Sequence, residues 1–145
     1  MMPNTSEDNM EKKVRDNTLD TLSIVVMFYT LITGVCFIFL GSDEISNEST
    51  YNRMQDLMSI KLWGLLFVLN SILHLLAVSL EYKRLQYGFF IAAGTVGLAL
   101  TLLYATASFD TSAYKINAFR YLLFAGVNLT IALKGARAWK QENIS

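Results

Sequence analysis

Three long stretches of this chain contain no charged residue. They run from Thr21 to Ser42, from Leu62 to Leu80 and from Leu85 to Phe109, which is 22, 19 and 25 residues. An α-helix rises about 1.5 Å per residue, so roughly 20 residues cross a hydrocarbon core that is about 30 Å thick. Each stretch is therefore long enough, or nearly so, to form a transmembrane helix.

A fourth stretch, Ile116 to Leu133, is apolar except for Arg120 and three polar residues. Arg120 stands near one end of it, where a long side chain can reach the lipid headgroups. We therefore predict four transmembrane helices, near residues 20–41, 59–80, 85–108 and 116–135.

A soluble four-helix bundle is the alternative, and it requires a polar face at helical spacing on each helix. The runs Ile24–Tyr29, Cys36–Leu40 and Leu62–Leu69 have no such face. A chain this short cannot bury three helices of that kind in its own core. The sequence therefore predicts an all-α, four-helix transmembrane bundle, antiparallel and up-down-up-down. A polar cytoplasmic segment (1–19) precedes the membrane domain (20–141), and a short tail (142–145) follows it.

Basic residues near the helix ends set the orientation of such a protein. With four crossings, one side carries eight of them: Lys12, Lys13, Arg15, Lys83, Arg84, Lys134, Arg137 and Lys140. The other side carries four: Arg53, Lys61, Lys115 and Arg120. Aromatic residues that favour the interface agree, with Tyr82, Tyr87 and Trp139 on the first side and Trp63, Tyr104, Tyr114 and Tyr121 on the second. Both termini are predicted to be cytoplasmic.

Composition excludes several classes of function. Twelve basic and twelve acidic residues balance, so there is no overall attraction to nucleic acid. One cysteine and one histidine offer no soft metal cluster and leave only His74 for a hydrolytic triad. No Asp or Glu lies within the hydrocarbon-spanning part of any predicted helix, which removes paired carboxylates for acid–base work. The chain is therefore predicted to be non-enzymatic and to need no cofactor.

The second predicted helix is the most polar of the four. Asn70 and His74 are four residues apart and share a face, Ser71 is adjacent, and Asn128 lies at similar depth on the fourth helix. These four residues form a candidate intramembrane polar face. One interpretation makes them the lining of a pore, a ligand site or a quinone-headgroup site. The other makes them hydrogen-bonding contacts between helices, worth about 0.6–2 kcal/mol each.

Lys61 and Arg120 form a pair of candidate interface cations near the outer ends of their helices. They could bind lipid phosphate or pair with Asp56 or Asp110, although snorkelling alone would explain their positions.

Small residues recur at helical spacing on the last two predicted helices: Ala93, Gly97, Thr101 and Ala105, then Ala125, Asn128, Ala132 and Ala136. Such stripes let helices approach closely, within one bundle or between the subunits of a homo-oligomer.

The first outer loop, about residues 43–59, is the longest connection. Tyr51, Met54 and Met58 recur in it at helical spacing, which is typical of a short interfacial helix. An unstructured polar loop is the alternative.

Four short motifs support a resemblance. They are Phe28-Tyr29-Thr30-Leu31-Ile32-Thr33-Gly34, Lys61-Leu62-Trp63-Gly64, Tyr104-Ala105-Thr106-Ala107-Ser108 and Arg120-Tyr121. Over about residues 25–139 the layout resembles the small four-helix membrane proteins encoded by tailed phages and prophages of low-GC Gram-positive bacteria. The resemblance implies a phage product acting in the bacterial cytoplasmic membrane, and it assigns no activity to any residue.

Three functions remain open at this stage. The first is a non-enzymatic, phage-encoded integral membrane protein whose role is association with the lipid bilayer of the host or modification of the host membrane during infection. The second is a holin-like lysis protein that forms membrane lesions; many holins have fewer helices and a strongly basic tail, whereas this tail has three cations. The third is a small transporter or channel subunit in which Asn70 and His74 line the path.

Overall fold

The computed structural model describes residues 5–39, 49–111 and 116–142, and every regular element in these ranges is an α-helix. The helices are α1 (Thr5–Phe39), α2 (Ser49–Leu57), α3 (Ile60–Ser79), α4 (Lys83–Thr111) and α5 (Ile116–Glu142). The predicted all-α fold is confirmed. Three groups used in the predictions above lie outside the described part of the chain: Tyr114, Lys115 and the carboxyl group of Asp110.

The four long helices pack around one another with each neighbour antiparallel to the next. Along the α1–α3 interface, Ser23 lies beside His74 whereas Gly34 lies beside Gly64, so the two chains run in opposite directions. Helices α3 and α4 are joined by only Leu80–Tyr82, which forces a hairpin. Helix α5 returns along α4 and closes the ring against α1. The amino end of α1 therefore meets the carboxyl end of α5, where Lys12 and Glu142 form an ion pair of 2.8 Å.

The outer surface of this bundle is apolar. Ile32 of α1 is 63% exposed and Leu123 of α5 is 69% exposed. Among the others that are at least two-fifths exposed are Phe28, Leu65, Leu69, Leu75, Leu102, Leu103 and Leu133. Large apolar side chains in such a continuous outer layer have no favourable contact with water. This distribution is the one that a hydrocarbon environment requires.

Three of the helices are long and apolar enough to cross a membrane: Met10–Phe39, Ile60–Ser79 and Lys83–Phe109. Over its described residues α5 is not one of these candidate spans, and Arg120 and Lys134 leave 13 residues between them free of charge. The structure thus gives three spans by length and composition where the sequence predicted four.

The interior contains two hydrophobic clusters, one toward each end of the bundle. The cluster nearer the termini contains Leu19, Val26, Ala77, Tyr87, Phe90, Ile131 and Ala138. The cluster at the far end contains Phe37, Met54, Ile60, Trp63, Phe67, Leu100 and Tyr104. Between them, at mid-depth, the buried residues are mostly polar or small.

Two local features were not settled by the sequence. The polar segment before residue 20 is helical from Thr5 and continues α1 without interruption. The first outer loop contains α2, and Met54 of this helix is buried. The backbone carbonyl oxygen of Met54 accepts a hydrogen bond from the indole N–H of Trp63 at 3.0 Å. Ser59 then starts α3, where its hydroxyl accepts from the N–H of Leu62.

Several aromatic residues used above as interface markers face the interior instead. Trp63, Tyr104 and Tyr87 are all almost completely buried. Trp63 and Tyr104 fill the far cluster, and Tyr121 packs on Tyr104 with ring centroids 4.0 Å apart. Their depth in the bundle is as expected, but they pack against neighbouring helices rather than lying among headgroups. Tyr82 and Trp139, in contrast, are exposed at the end with the termini.

Candidate functional site

A polar layer begins within the cluster nearer the termini, where Ser23 lies between Leu19 and Val26 on α1, and extends toward the far cluster. Each of the four long helices contributes to it. Asn70, His74 and Asn128 have no exposed surface, and Ser71 is also buried. The structure thus brings together Asn70 and His74 of α3 with Asn128 of α5, which are three of the four residues of the predicted polar face. The fourth, Ser71, follows Asn70 on α3. Ser23 of α1, fully buried, completes the layer on the opposite side of His74.

His74 is held between two neighbouring helices. Its Nδ1 lies 3.2 Å from the hydroxyl oxygen of Ser23 on α1, within hydrogen-bonding distance. The side chain of Asn128 on α5 approaches the same ring. The amide nitrogen of Asn128 donates to the carbonyl oxygen of Phe124 at 2.9 Å, one turn earlier in its own helix, which fixes the direction of its amide oxygen. The hydrogen bond at Nδ1 links α3 to α1, whereas Nε2 of His74 has no hydrogen-bond partner among the described residues.

Gly97 makes room for the layer on α4. A Cβ atom at this position would collide with the amide oxygen of Asn128 and would lie 3.0 Å from the amide nitrogen of Asn70. Both asparagine side chains therefore approach the backbone of α4 at one point. Next to it, the hydroxyl of buried Thr101 donates to the carbonyl oxygen of Gly97 at 2.7 Å, so this threonine is satisfied within its own helix.

Four polar atoms of the layer are buried without a hydrogen-bond partner among the described residues. They are both amide atoms of Asn70, Nε2 of His74 and the amide oxygen of Asn128. Buried polar groups in proteins are nearly always hydrogen-bonded, because leaving one unpaired costs about 1–3 kcal/mol. The layer therefore has donors and acceptors available for a small neutral molecule such as water.

The chemistry open to this layer is binding by neutral donors and acceptors. Among the described residues, no group of three or more His, Cys, Asp or Glu side chains could hold a metal ion. His74 is the one titratable side chain in the layer, and its contacts there are with hydroxyl and amide groups. No described carboxylate is placed to act with it as a catalytic pair.

Sequence reasoning did not single out Ser23 as a member of this layer. A signal was present, since Ser23, Val26 and Thr30 recur at helical spacing and all three are buried. On an otherwise apolar helix, a stripe that combines hydroxyl and small residues marks the face that packs against other helices. Gly97 was recognised only as part of a small-residue stripe, all of which is buried inside this chain's own bundle.

Lys61 and Arg120 lie at the end opposite the termini, and both are exposed. One of the two predicted partners, Asp56, lies 3.9 Å from Arg53 instead, in a pair whose two side chains are largely exposed. Within the described residues, neither Lys61 nor Arg120 forms an ion pair. Their placement fits side chains that extend toward headgroups.

A second polar cluster lies at the end with the termini, centred on the carboxylate of Asp16. It accepts a hydrogen bond from the hydroxyl of Tyr87 at 2.9 Å, and Lys83 lies 3.2 Å away. The guanidinium of Arg15 lies 3.6 Å from the same carboxylate and donates to the side-chain oxygen of Gln141. The cluster joins α1 to α4 and α5, so its arrangement is that of a structural clasp.

Comparison of the chain with models of protein families, with curated proteins and with solved structures finds no match.

Proposed function

We propose that this chain is a four-pass integral membrane protein with both termini in the cytoplasm, and that it acts as a compact, non-enzymatic bundle in a bacterial cytoplasmic membrane. The observation that carries the proposal is the distribution of polarity. The lipid-exposed positions hold leucine, isoleucine and phenylalanine, whereas the asparagines and the histidine at mid-depth are completely buried. A water-soluble bundle has the opposite distribution.

The fourth crossing is supported by the packing of α5. Helix α5 runs along α4, and at mid-depth its Phe124 stacks on Tyr29 of α1 with ring centroids 3.7 Å apart. Asn128 reaches the centre of the bundle. A helix packed in this way beside three membrane-spanning helices has to share their environment. Its two interrupting cations, Arg120 and Lys134, stand near opposite ends, where each side chain can reach headgroups.

The distribution of charge supports a cytoplasmic location of the termini. The antiparallel bundle places the ends of α1 and α5 beside the link between α3 and α4, and this end carries the larger group of basic residues. Positively charged segments are retained on the cytoplasmic side during membrane insertion. The phage origin implied by the resemblance stays a prediction. A homo-oligomer formed through a small-residue face also stays one, for α5 with its exposed Ala136, because the stripe on α4 is already packed inside the bundle.

The proposal is tested by producing the protein in a bacterium and separating its membranes. We expect the protein to remain in the membrane pellet during alkaline carbonate extraction, to dissolve only in detergent, and to leave the membrane potential of the host unchanged. Extraction by carbonate would contradict the membrane assignment. An abrupt collapse of the potential would instead favour the holin-like alternative.

A second candidate function, passage of a small neutral solute, is favoured by the unpartnered atoms of Asn70, His74 and Asn128. In this case the polar layer is a hydrated constriction between two apolar clusters. Stopped-flow swelling of proteoliposomes with water, glycerol or urea would show a flux that Asn70→Leu abolishes. Thr106→Val, which changes an exposed threonine that bonds only within its own helix, is the matched control. Equal permeability of protein-containing and protein-free liposomes would exclude this function for the three solutes.

A further inference from the structure

A groove of about 770 Å³ opens between α1 and α5 at the end with the termini. It exists because α1 and α5 touch less extensively than the other long helices that are adjacent in the ring. The side chains of Met10 and Val14 form an apolar wall on α1, and both are well exposed. Lys134 and Arg137 form the facing wall on α5.

The groove is positively charged. Lys134 and Arg137 are three residues apart on one face of α5, and neither forms an ion pair with a described residue. Arg15 lies at the bottom of the groove but is already beside the carboxylate of Asp16. Glu11 is the one carboxylate among the described residues that line the groove. Two cations thus face the opening against a single anion.

The groove lies at the depth of the lipid headgroups. Exposed Trp139 and Tyr82 mark the interface at this end of the bundle. The charge-free part of α1 starts at Thr21, and the charge-free part of α5 ends at Leu133, immediately before Lys134. A shallower depression of about 360 Å³, which Asn17 also lines, shares Val14 and Thr18 with the groove and extends along α1 to Thr21 and Leu22, in the direction of the centre of the membrane. A cationic site that can bind an anion is therefore continuous with a largely apolar depression that runs in the right direction for an acyl chain.

We propose that this groove binds one anionic phospholipid, with its phosphate against Lys134 and Arg137 and an acyl chain along α1 past Thr21 and Leu22. Charge complementarity favours an anionic lipid over a zwitterionic one, because a zwitterionic headgroup brings its own cation to two protein cations. The apolar continuation favours a lipid over a free phosphate ion. This inference depends on the proposed membrane insertion of the chain.

The test is native mass spectrometry of the full chain in detergent, titrated with dioleoylphosphatidylglycerol and, separately, with dioleoylphosphatidylcholine. The double variant Lys134→Gln/Arg137→Gln removes the two cations of the groove. The double variant Lys13→Gln/Lys140→Gln is the matched control, since it removes two exposed cations from the same end but outside the groove. Thermal unfolding of each variant in the same detergent reports whether the fold is retained.

We expect the affinity for phosphatidylglycerol to fall roughly ten- to thirtyfold in the groove variant and less than about threefold in the control. Phosphatidylcholine should bind weakly and equally to all three proteins. If the groove variant does not fold, the charge-conserving Lys134→Arg/Arg137→Lys should retain the lipid, and its loss would overturn the site.

Three other results would also overturn the proposal: equal losses in both double variants, phosphatidylcholine binding as tight as that of phosphatidylglycerol, or displacement of the lipid by millimolar inorganic phosphate. The two proposals fail separately. Release of the protein from membranes by carbonate contradicts membrane insertion, whereas a carbonate-resistant protein without lipid selectivity contradicts only the groove.

Discussion

Gly34 of α1 and Gly64 of α3 face each other so closely that a Cβ atom on either residue would lie 2.7 Å from the carbonyl oxygen of the other. Both positions also border side chains of the opposite helix, Val68 for Gly34 and Phe37 for Gly64. In a membrane, helices gain little from the hydrophobic effect on associating, so close backbone approach and van der Waals contact hold them together. This glycine pair sets the separation of α1 and α3 in the half of the bundle far from the termini.

Replacing either glycine by alanine should therefore destabilise the bundle. We expect Gly34→Ala or Gly64→Ala to lower the free energy of unfolding by about 1–3 kcal/mol, because backbone rather than a flexible side chain must move. The unfolding midpoint in mild detergent measures the effect. Gly126→Ala is the control, since a Cβ atom there meets open space and alanine favours a helix by about 1 kcal/mol. A Gly64→Ala protein as stable as the wild type would show that α1 and α3 are farther apart.

The clasp around Asp16 should contribute to stability although it lies near the surface. The side chain of Asp16 is only 15% exposed. The substitution Asp16→Asn removes its negative charge and so weakens the contacts with Lys83 and Tyr87. We expect a loss of about 1.5–3 kcal/mol, the usual range for hydrogen bonds to a charged group. Amide hydrogen exchange should become faster in the first turns of α1.

The matched control for that prediction is Asp56→Asn. Its side chain is 70% exposed and pairs with Arg53 at 3.9 Å, so its loss should change stability by less than about 1 kcal/mol. Equal effects of the two substitutions would mean that Asp16 contributes no more than an ordinary surface charge.

Two substitutions test whether the polar layer is dry or holds water or a solute, through the sign of their effects on the free energy of unfolding. Ser23→Ala removes the hydroxyl beside Nδ1 of His74 and should cost about 0.6–2 kcal/mol. Asn70→Leu replaces an amide that has no partner among the described residues with an apolar group of similar size. In a dry layer this change should be neutral or stabilising, because it removes an unsatisfied buried group. A marked destabilisation by Asn70→Leu would show that water or a solute occupies the layer.

The hydrogen bond from Trp63 to Met54 should hold α2 against the bundle. Trp63→Phe keeps an aromatic ring but loses this 3.0 Å bond, at a cost of about 1 kcal/mol. Limited proteolysis with trypsin should then cut faster after Arg53, which is exposed on α2. Trp139→Phe, at the opposite end, should leave that cleavage rate unchanged. Equal rates in all three proteins would show that α2 is held by other contacts.

The sequence predicts most of the bundle because charge marks the helix ends clearly. Helix α3 covers Ile60–Ser79 where residues 59–80 were expected, since Lys61 and Glu81 bracket a run that contains no charged residue. The helical character of residues 5–19 has no such signal. The contacts of this segment are with α4 and α5, through Asp16 and Lys12, and contacts between distant parts of the chain are invisible to local patterns.

The level of a residue along the bundle was easier to predict than the direction in which its side chain points. The sequence places Trp63 and Tyr104 near the outer end of the bundle, and the structure agrees on that level but turns both rings inward. The candidate polar face was found because asparagine and histidine are rare in apolar helices. Ser23 and Gly97 were not assigned to it, since the side of a helix that meets its neighbour depends on how all four helices pack.

The most direct test of the account is a map of which positions face the outside of the cell. In a Cys36→Ser background, Asn52→Cys, Tyr82→Cys, Ser112→Cys and Gln141→Cys are treated in intact cells with a membrane-impermeant maleimide. We expect labelling at positions 52 and 112, and at positions 82 and 141 only after the cells are permeabilised. Labelling of position 141 together with position 112 in intact cells would contradict it, because α5 would then not cross the membrane.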